Sequence, residues 1–186
     1  MSIRASLFGG FGFLIIVLFS TVGVSFLVIR HLGDALESSQ ATSNRIAEQA
    51  VPLLAATKDV RFDVVQVQQW LTDVSATQAK DGLGDGFDVA QEFAAAFKTD
   101  SEHAVALADA SGQAQIAQVL RQLQADFVPY FEVGNRMAQA YVAAGPEGGN
   151  KLMPEFDAVA QKMTESIEQL TGSTQAFIDA RIADSK

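Results

Sequence analysis

Apolar side chains recur at steps of four and three residues along four separate stretches of the chain. This spacing places them on one face of a helix that packs against neighbouring helices. The four sets are Val60, Val64, Val67, Leu71 and Val74; Ala90, Phe93, Phe97, Ala104 and Leu107, with Asp100 as a polar exception; Ile116, Leu120, Leu123, Phe127, Tyr130, Gly134, Met137 and Tyr141; and Phe156, Val159, Met163, Ile167, Leu170 and Phe177. Alternating strand-like runs are absent from the sequence, so it predicts an all-α fold.

Three turn signals separate these stretches. They are the glycine-rich segments 81–86, 109–112 and 145–150, and Pro154 then suits the first turn of the next helix. Four helices joined by connections of this length predict an up-down-up-down four-helix bundle.

A run without any charged residue occupies positions 7–29, and Arg30 follows it. As a helix it would span about 34 Å, enough to cross roughly 30 Å of bilayer hydrocarbon. The alternative is a removable export signal, whose apolar core is usually shorter and ends at a small-residue cleavage site. We therefore expect an uncleaved membrane anchor, and the balance of basic residues places residues 32–186 outside the cytoplasm.

Predicted helix lengths divide the chain into three parts. A first helix over 32–80 would be about 72 Å long, whereas a second over 86–109 would reach only about 36 Å. Pro52 lies near the level where the shorter helix ends, and proline bends or restarts a helix. The predicted parts are an N-terminal tail and transmembrane helix (1–31), a stalk (32–52) and a sensor-like bundle (53–186). By the same geometry, a longer protein would reach the membrane again after residue 186.

Composition excludes several classes of function. Residues 32–186 hold all 22 acidic residues and 11 of the 13 basic ones, a formal charge of −11, which argues against nucleic acid as a partner. The chain has no cysteine, and its two histidines are too few for a di-iron bundle. No set of nucleophile, base and orienting group is visible. We expect neither an enzyme nor a cofactor or metal.

Several stretches resemble the sensory region of bacterial methyl-accepting chemotaxis proteins. VVQVQQWLTDVSAT (64–77) and DGLGDGFD (81–88) are similar to the end of the first bundle helix and the turn after it. YFEVGNRMAQAY (130–141) and GPEGGNKLMPEFD (145–157) are similar to the third helix, the apex loop and the start of the fourth helix.

That resemblance implies a homodimeric bundle on the periplasmic side of a bacterial inner membrane, anchored in the lipid bilayer through residues 7–29. The domain would bind a small-molecule effector, or a periplasmic binding protein, and pass a helix displacement across the membrane. Similar bundles occur in sensor histidine kinases and cyclic-dinucleotide enzymes. A structural or protein-interaction bundle without its own ligand is the remaining alternative.

A candidate effector site lies on one flank of the first helix. Asp63, Gln66 and Trp70 share that flank, and counting from the turns places other side chains at the level of Trp70. Those side chains are Phe97, Tyr130 with Gly134, and Met163. Gly134 would make room for the indole or a ligand, and Arg136 or Arg61 would pair with a buried Asp63. The predicted ligand-binding residues are Asp63, Gln66, Trp70, Tyr130 and Arg136. The alternative is a packed core layer with an interhelical hydrogen bond.

Overall fold

The computed structural model describes residues 30–32, 36–37, 40, 43–44 and 46–183. The elements that follow all belong to the compact unit Arg45–Asp184. A short π-helix, Ile46–Ala50, leads into the first of four long α-helices. The four are α1 (Val51–Thr77), α2 (Gly86–Ala110), α3 (Ala114–Gly149) and α4 (Met153–Ala183). These described residues contain no strand, which confirms the all-α prediction.

The four periodic apolar sets form one core. Every member of the α1 set is buried, and in the α3 set only Tyr141 is half-exposed. In α2 and α4 the large side chains alternate between fully and partly buried positions, and all pack on the same cluster. Burial of each large apolar side chain contributes about 1.5–3 kcal/mol, so this shared core is the main force that holds the helices together.

The helices do not pack equally on one another. Helix α1 packs most extensively on α2, and α3 packs most extensively on α4. Helix α3 also contacts α1 and α2 to a similar extent, whereas α1 and α4 touch only sparsely. A groove therefore opens between α1 and α4, and α3 forms its floor.

Helix α1 ends at Thr77, three residues before the predicted end at residue 80. The Thr77 hydroxyl donates to the Asp73 carbonyl at 2.9 Å, and Gln78 adopts a left-handed conformation with φ of 55°. Ala79 and Asp81 also have positive φ, so the backbone turns before the glycines that marked the turn in the sequence. Left-handed residues cannot continue a right-handed helix, which explains the earlier end.

The predicted turn at 145–150 contains more helix than expected. Gly145 breaks the helix with φ of 59° and ψ of −153°, a conformation that favours glycine. One further helical turn follows and closes at Asn150, where the Tyr141 hydroxyl donates to the Asn150 side-chain oxygen at 2.5 Å. Only three residues then separate α3 from α4.

The N-terminal predictions fall largely outside the described residues. The predicted membrane anchor, 7–29, lies there entirely, as does much of the predicted stalk. No helix within the described part of the chain is both long enough and apolar enough to cross a bilayer. Pro52 lies in the first turn of α1, directly after the π-helix Ile46–Ala50.

Candidate functional site

The groove between α1 and α4 has a volume of about 380 Å³. Sites for small organic ligands are typically about 300–1,000 Å³, with apolar walls and a few convergent polar groups. This groove fits that description. Its lining comprises Arg61, Val64, Val65 and Gln68 from α1, Tyr130 from α3, and Ala160, Met163, Thr164, Ile167, Glu168 and Thr171 from α4.

Tyr130 forms the floor of the groove. Its hydroxyl donates to the Val64 carbonyl at 3.3 Å, and its ring stacks on Phe156 with 5.6 Å between centroids. The side chain is 1% exposed, and burial raises the pKa of its phenol above the ordinary value. The phenol therefore stays neutral, and the ring presents a rigid floor between the two helices.

The walls of the groove carry opposite charges. Arg61 projects from α1 and Glu168 from α4, and both are exposed to solvent. Gln68 on α1 and Thr164 and Thr171 on α4 add neutral hydrogen-bonding groups. The site can therefore accept a ligand that has an anionic end, a cationic end and a small apolar body.

Asp63 lies away from this groove, at the contact between α1 and α2. It is 4% exposed. Burial raises the pKa of Asp63 to about 7, and the charge of Asp100, a hydrogen bond shared with Asp100 and the charge of Asp59 add to that effect. Asp63 Oδ2 has no partner when both carboxyl groups are ionised, whereas a protonated Asp63 can donate to Asp100.

The predicted cationic partners of Asp63 were wrong. Arg136 Nη2 instead pairs with Glu155 Oε1 at 2.6 Å, and both side chains are about half exposed. Arg61 lines the α1/α4 groove. The group that faces Asp63 is instead Asp100, the polar exception in the α2 set. The sequence does not reveal this pairing, because it depends on how α1 and α2 pack on each other.

Trp70 faces the start of α2. A Cβ at Gly86 would lie 3.6 Å from Trp70 Cε3, so the indole packs where α2 begins. Its Nε1 is buried without a hydrogen-bond partner, and the ring edge borders a separate shallow depression with Asp73. Gln66 is half-exposed and donates to Gln69 at 3.5 Å.

Gly134 does not make room for the indole of Trp70. A Cβ at Gly134 would lie 2.8 Å from Leu71 Cδ1 and 3.0 Å from Phe156 Cε2, so those two side chains fill the space. The five predicted ligand-binding residues therefore do not form one site. Of the five, Tyr130 is the one that lines the α1/α4 groove.

An ionic cluster around the buried carboxylate of Asp126, with an exposed Lys162, joins α3 to α4 beside the core. Asp126 accepts hydrogen bonds from Gln122 at 3.0 Å and Ser166 at 3.1 Å, and Lys162 Nζ approaches it at 2.5 Å. Burial alone would raise the pKa of Asp126, but these three partners outweigh it and hold the pKa below its ordinary value. With its oxygens engaged, Asp126 stabilises the α3–α4 contact.

Sequence reasoning did not assign Gln68 and Glu168 to the site, and it placed Arg61 in another role. One signal was available: positions 61, 65 and 68 share a flank of α1, just as 164, 168 and 171 share a flank of α4. The sequence does not show that these two flanks face each other across a gap.

Within the described residues, no group of three or more His, Cys, Asp or Glu side chains is arranged to hold a metal ion. Comparisons with protein-family models, curated proteins and solved structures found no match to this chain. The functional assignment therefore depends on the geometry of the site and on the resemblance of sequence stretches given above.

Proposed function

We propose that this chain is the membrane-anchored, periplasmic sensor region of a bacterial chemoreceptor, and that its helices form an up-down-up-down four-helix bundle. The effector binds between α1 and α4. The observation that carries the proposal is the α1/α4 groove, with its size, its aromatic floor and its two opposite charges. A sensor region of a histidine kinase or cyclic-dinucleotide enzyme would use the same site, because these classes differ in the output part.

The charges of the groove favour a small zwitterion, such as an amino acid. A ligand carboxylate would be held by the Arg61 guanidinium, which matches its planar geometry, and a ligand ammonium by Glu168. The apolar surface of Met163 and Ile167 would cover the side chain of the ligand. Arg61 belongs to α1, whereas Glu168, Met163 and Ile167 belong to α4, so the ligand bridges the two helices.

Such bridging gives a route for a signal. Helix α4 packs mainly on α3 and only sparsely on α1. A ligand that contacts both walls therefore adds proportionally more new contact to the α1–α4 interface than to any other helix interface. A ligand shifts a conformational equilibrium only by its difference in affinity for the two states. The displaced element in this proposal is α4, moved relative to α1.

The test is a thermal-stability screen of the chain against amino acids, organic acids and nitrate. A ligand of the folded state raises the unfolding midpoint by mass action. We expect an amino acid to do so, and Arg61→Ala or Glu168→Gln to weaken its binding roughly tenfold, since a charged hydrogen bond is worth about 1.5–3 kcal/mol. Arg121→Ala, an exposed arginine outside the groove, should leave binding unchanged.

A domain that only contacts another protein predicts the opposite result. In that case no small molecule in the panel raises the unfolding midpoint, and Arg61→Ala changes nothing that the screen measures. Stabilisation that persists in both groove variants would also contradict the proposed site.

A second feature supports the proposed homodimer. Helix α1 carries an outer stripe of exposed residues at steps of four and three, opposite its buried set. Two of its members have a second contact: Phe62 packs edge-on against Phe93 of α2, and Val65 also lines the α1/α4 groove. The outer stripe comprises Val51, Ala55, Lys58, Phe62, Val65, Gln69, Thr72 and Ala76. Val51 and Phe62 are each 55% exposed and Val65 is 48% exposed, an apolar surface that a second copy of α1 would cover.

A further inference from the structure

A second groove lies between α2 and α3, and nothing in the proposed sensor function uses it. Its volume is about 510 Å³. The floor is a row of three nearly parallel phenylalanine rings. Phe97 stacks on Phe127 with 3.8 Å between centroids, and Phe127 stacks on Phe131 with 6.0 Å between centroids. Val128 borders the groove and is 54% exposed, so the apolar surface is open to solvent.

The neutral polar groups of this groove are engaged with one another. The Ser101 hydroxyl, which is fully buried, donates to the Lys98 carbonyl at 3.1 Å and accepts a hydrogen bond from Gln124 Nε2 at 3.0 Å. This pair ties α2 to α3. The remaining polar features of the groove are charges at its rim.

Negative charge outweighs positive charge at that rim. Glu102 on α2 and Glu132 on α3 lie towards opposite ends of the groove, and the cation among its lining residues is Lys98. The faces of aromatic rings are electron-rich and attract cations. The domain as a whole is acidic, which raises the local concentration of cations near its surface.

We propose that the α2/α3 groove is a binding site for a small organic cation with an aromatic body, such as an arylalkylamine. The ring packs on Phe131 and Val128, and the ammonium group pairs with Glu132 at the same end of the groove, while Glu102 adds negative charge at the far end. This site is distinct from the α1/α4 groove, because it is formed by a different pair of helices, α2 and α3.

The experiment is calorimetric titration of the full 186-residue chain in non-ionic detergent with three probes. Phenethylamine carries a ring and a positive charge, 3-phenylpropanoate carries a similar ring and a negative charge, and n-butylamine carries the charge without a ring. We expect phenethylamine to bind at least about tenfold more tightly than either of the others, because the groove matches both of its parts.

Variants locate the site. Val128→Trp, which fills the groove from an exposed position, should weaken phenethylamine binding at least about tenfold, while Val142→Trp, at another exposed valine, leaves it unchanged. Glu102→Gln combined with Glu132→Gln should weaken binding about threefold to tenfold, because each charge is exposed and screened by solvent. Glu92→Gln, on the same helix outside the groove, is the matched control.

Equal or tighter binding of 3-phenylpropanoate would overturn the proposal, as would full affinity in Val128→Trp or no binding of phenethylamine at all. The result is separable from the sensor proposal. An effector of the α1/α4 groove would still bind the Val128→Trp chain, and phenethylamine would still bind the Arg61→Ala chain.

Discussion

Asp63 and Asp126 are both buried carboxyl groups, yet their surroundings shift their pKa values in opposite directions. Asp126 has a cation and two neutral donors around it, whereas the charged neighbours that act on Asp63 are the acids Asp100 and Asp59. The ionised form of Asp126 is therefore favoured by folding. The ionised form of Asp63 is disfavoured, because the buried carboxylate loses its hydration and is repelled by Asp100 and Asp59.

This contrast predicts a pH-dependent effect of Asp63→Asn. Folding raises the pKa of Asp63 from 3.8 to about 7, so the folded state binds more protons than the unfolded state between those values. The contribution of Asp63 to the free energy of unfolding is therefore greatest below about pH 4. It falls as the pH rises towards 7 and stays low above that pH. Asparagine cannot ionise, so we expect Asp63→Asn to raise the free energy of unfolding by about 1–2 kcal/mol at pH 8.

Urea denaturation at pH 8 and pH 5 measures the effect, and the gain should shrink at pH 5. Asp73→Asn, an exposed position on the same helix, is the control and should change stability little at either pH. A loss of stability at pH 8 in Asp63→Asn would show that the carboxylate has a favourable partner after all.

At the scale of elements, two glycines within helices provide a matched pair. Gly134 in α3 lies against Leu71 and Phe156, whereas no atom lies within 4 Å of the position that a Cβ on Gly172 in α4 would occupy. Alanine favours a helix over glycine by about 1 kcal/mol. We expect Gly172→Ala to raise the free energy of unfolding by about 0.5–1 kcal/mol.

Gly134→Ala should instead lower the free energy of unfolding by a net amount of about 1 kcal/mol. The inserted methyl group must displace buried side chains, at a cost of about 1–3 kcal/mol that exceeds the gain in helix propensity. Chemical denaturation of both variants gives the comparison. Equal stabilisation by the two alanines would contradict this prediction, because it would mean that Leu71 of α1 and Phe156 of α4 can shift to accommodate the methyl group at little cost.

The same glycine shows what periodicity can and cannot predict. The repeat along α3 correctly placed Gly134 in the core, and the count put it near the level of Trp70, where it lies against the adjacent Leu71. The same count also put Tyr130 and Met163 at the level of Trp70, but these two lie beside Val64. Trp70 is next to Leu71 in the chain but points about 100° away around the helix axis, towards α2. Counting gives the level of a side chain only to within one or two helical turns, and which neighbour it meets depends on the rotation of each helix, which tertiary packing sets.

At the scale of the whole molecule, the outer stripe of α1 predicts how two copies meet. The chain has no cysteine, so a single introduced thiol reports only its own surroundings. We expect Ala55→Cys, within the outer stripe, to form a disulfide-linked dimer under mild oxidation. Ala125→Cys, exposed on α3, is the control and should remain largely monomeric on a non-reducing gel. Equal cross-linking at both positions would contradict the proposed interface.

The sequence predicted the helices well and the site poorly for a physical reason. Burial of Val60, Val67 and Leu123 follows from a local repeat that each helix carries by itself. The α1/α4 groove arises because α1 lies closer to α3 than to α4, a property of the assembled helices. Arg61 and Glu168 come together across that gap, and neither carries a local signal that distinguishes it from an ordinary surface charge.

The uneven packing of the helices also bears on how the chain assembles during synthesis. Its largest contacts, α1 on α2 and α3 on α4, each join helices adjacent in sequence, with a short connection at Gly112 between the two pairs. A nascent polypeptide that has left the ribosome as far as Ala110 already contains both partners of the first interface. Contacts between helices adjacent in sequence form rapidly, so we expect the helices to assemble in the order in which they are synthesised. Less apolar surface then stays exposed during synthesis than if each helix packed on one far away in the sequence.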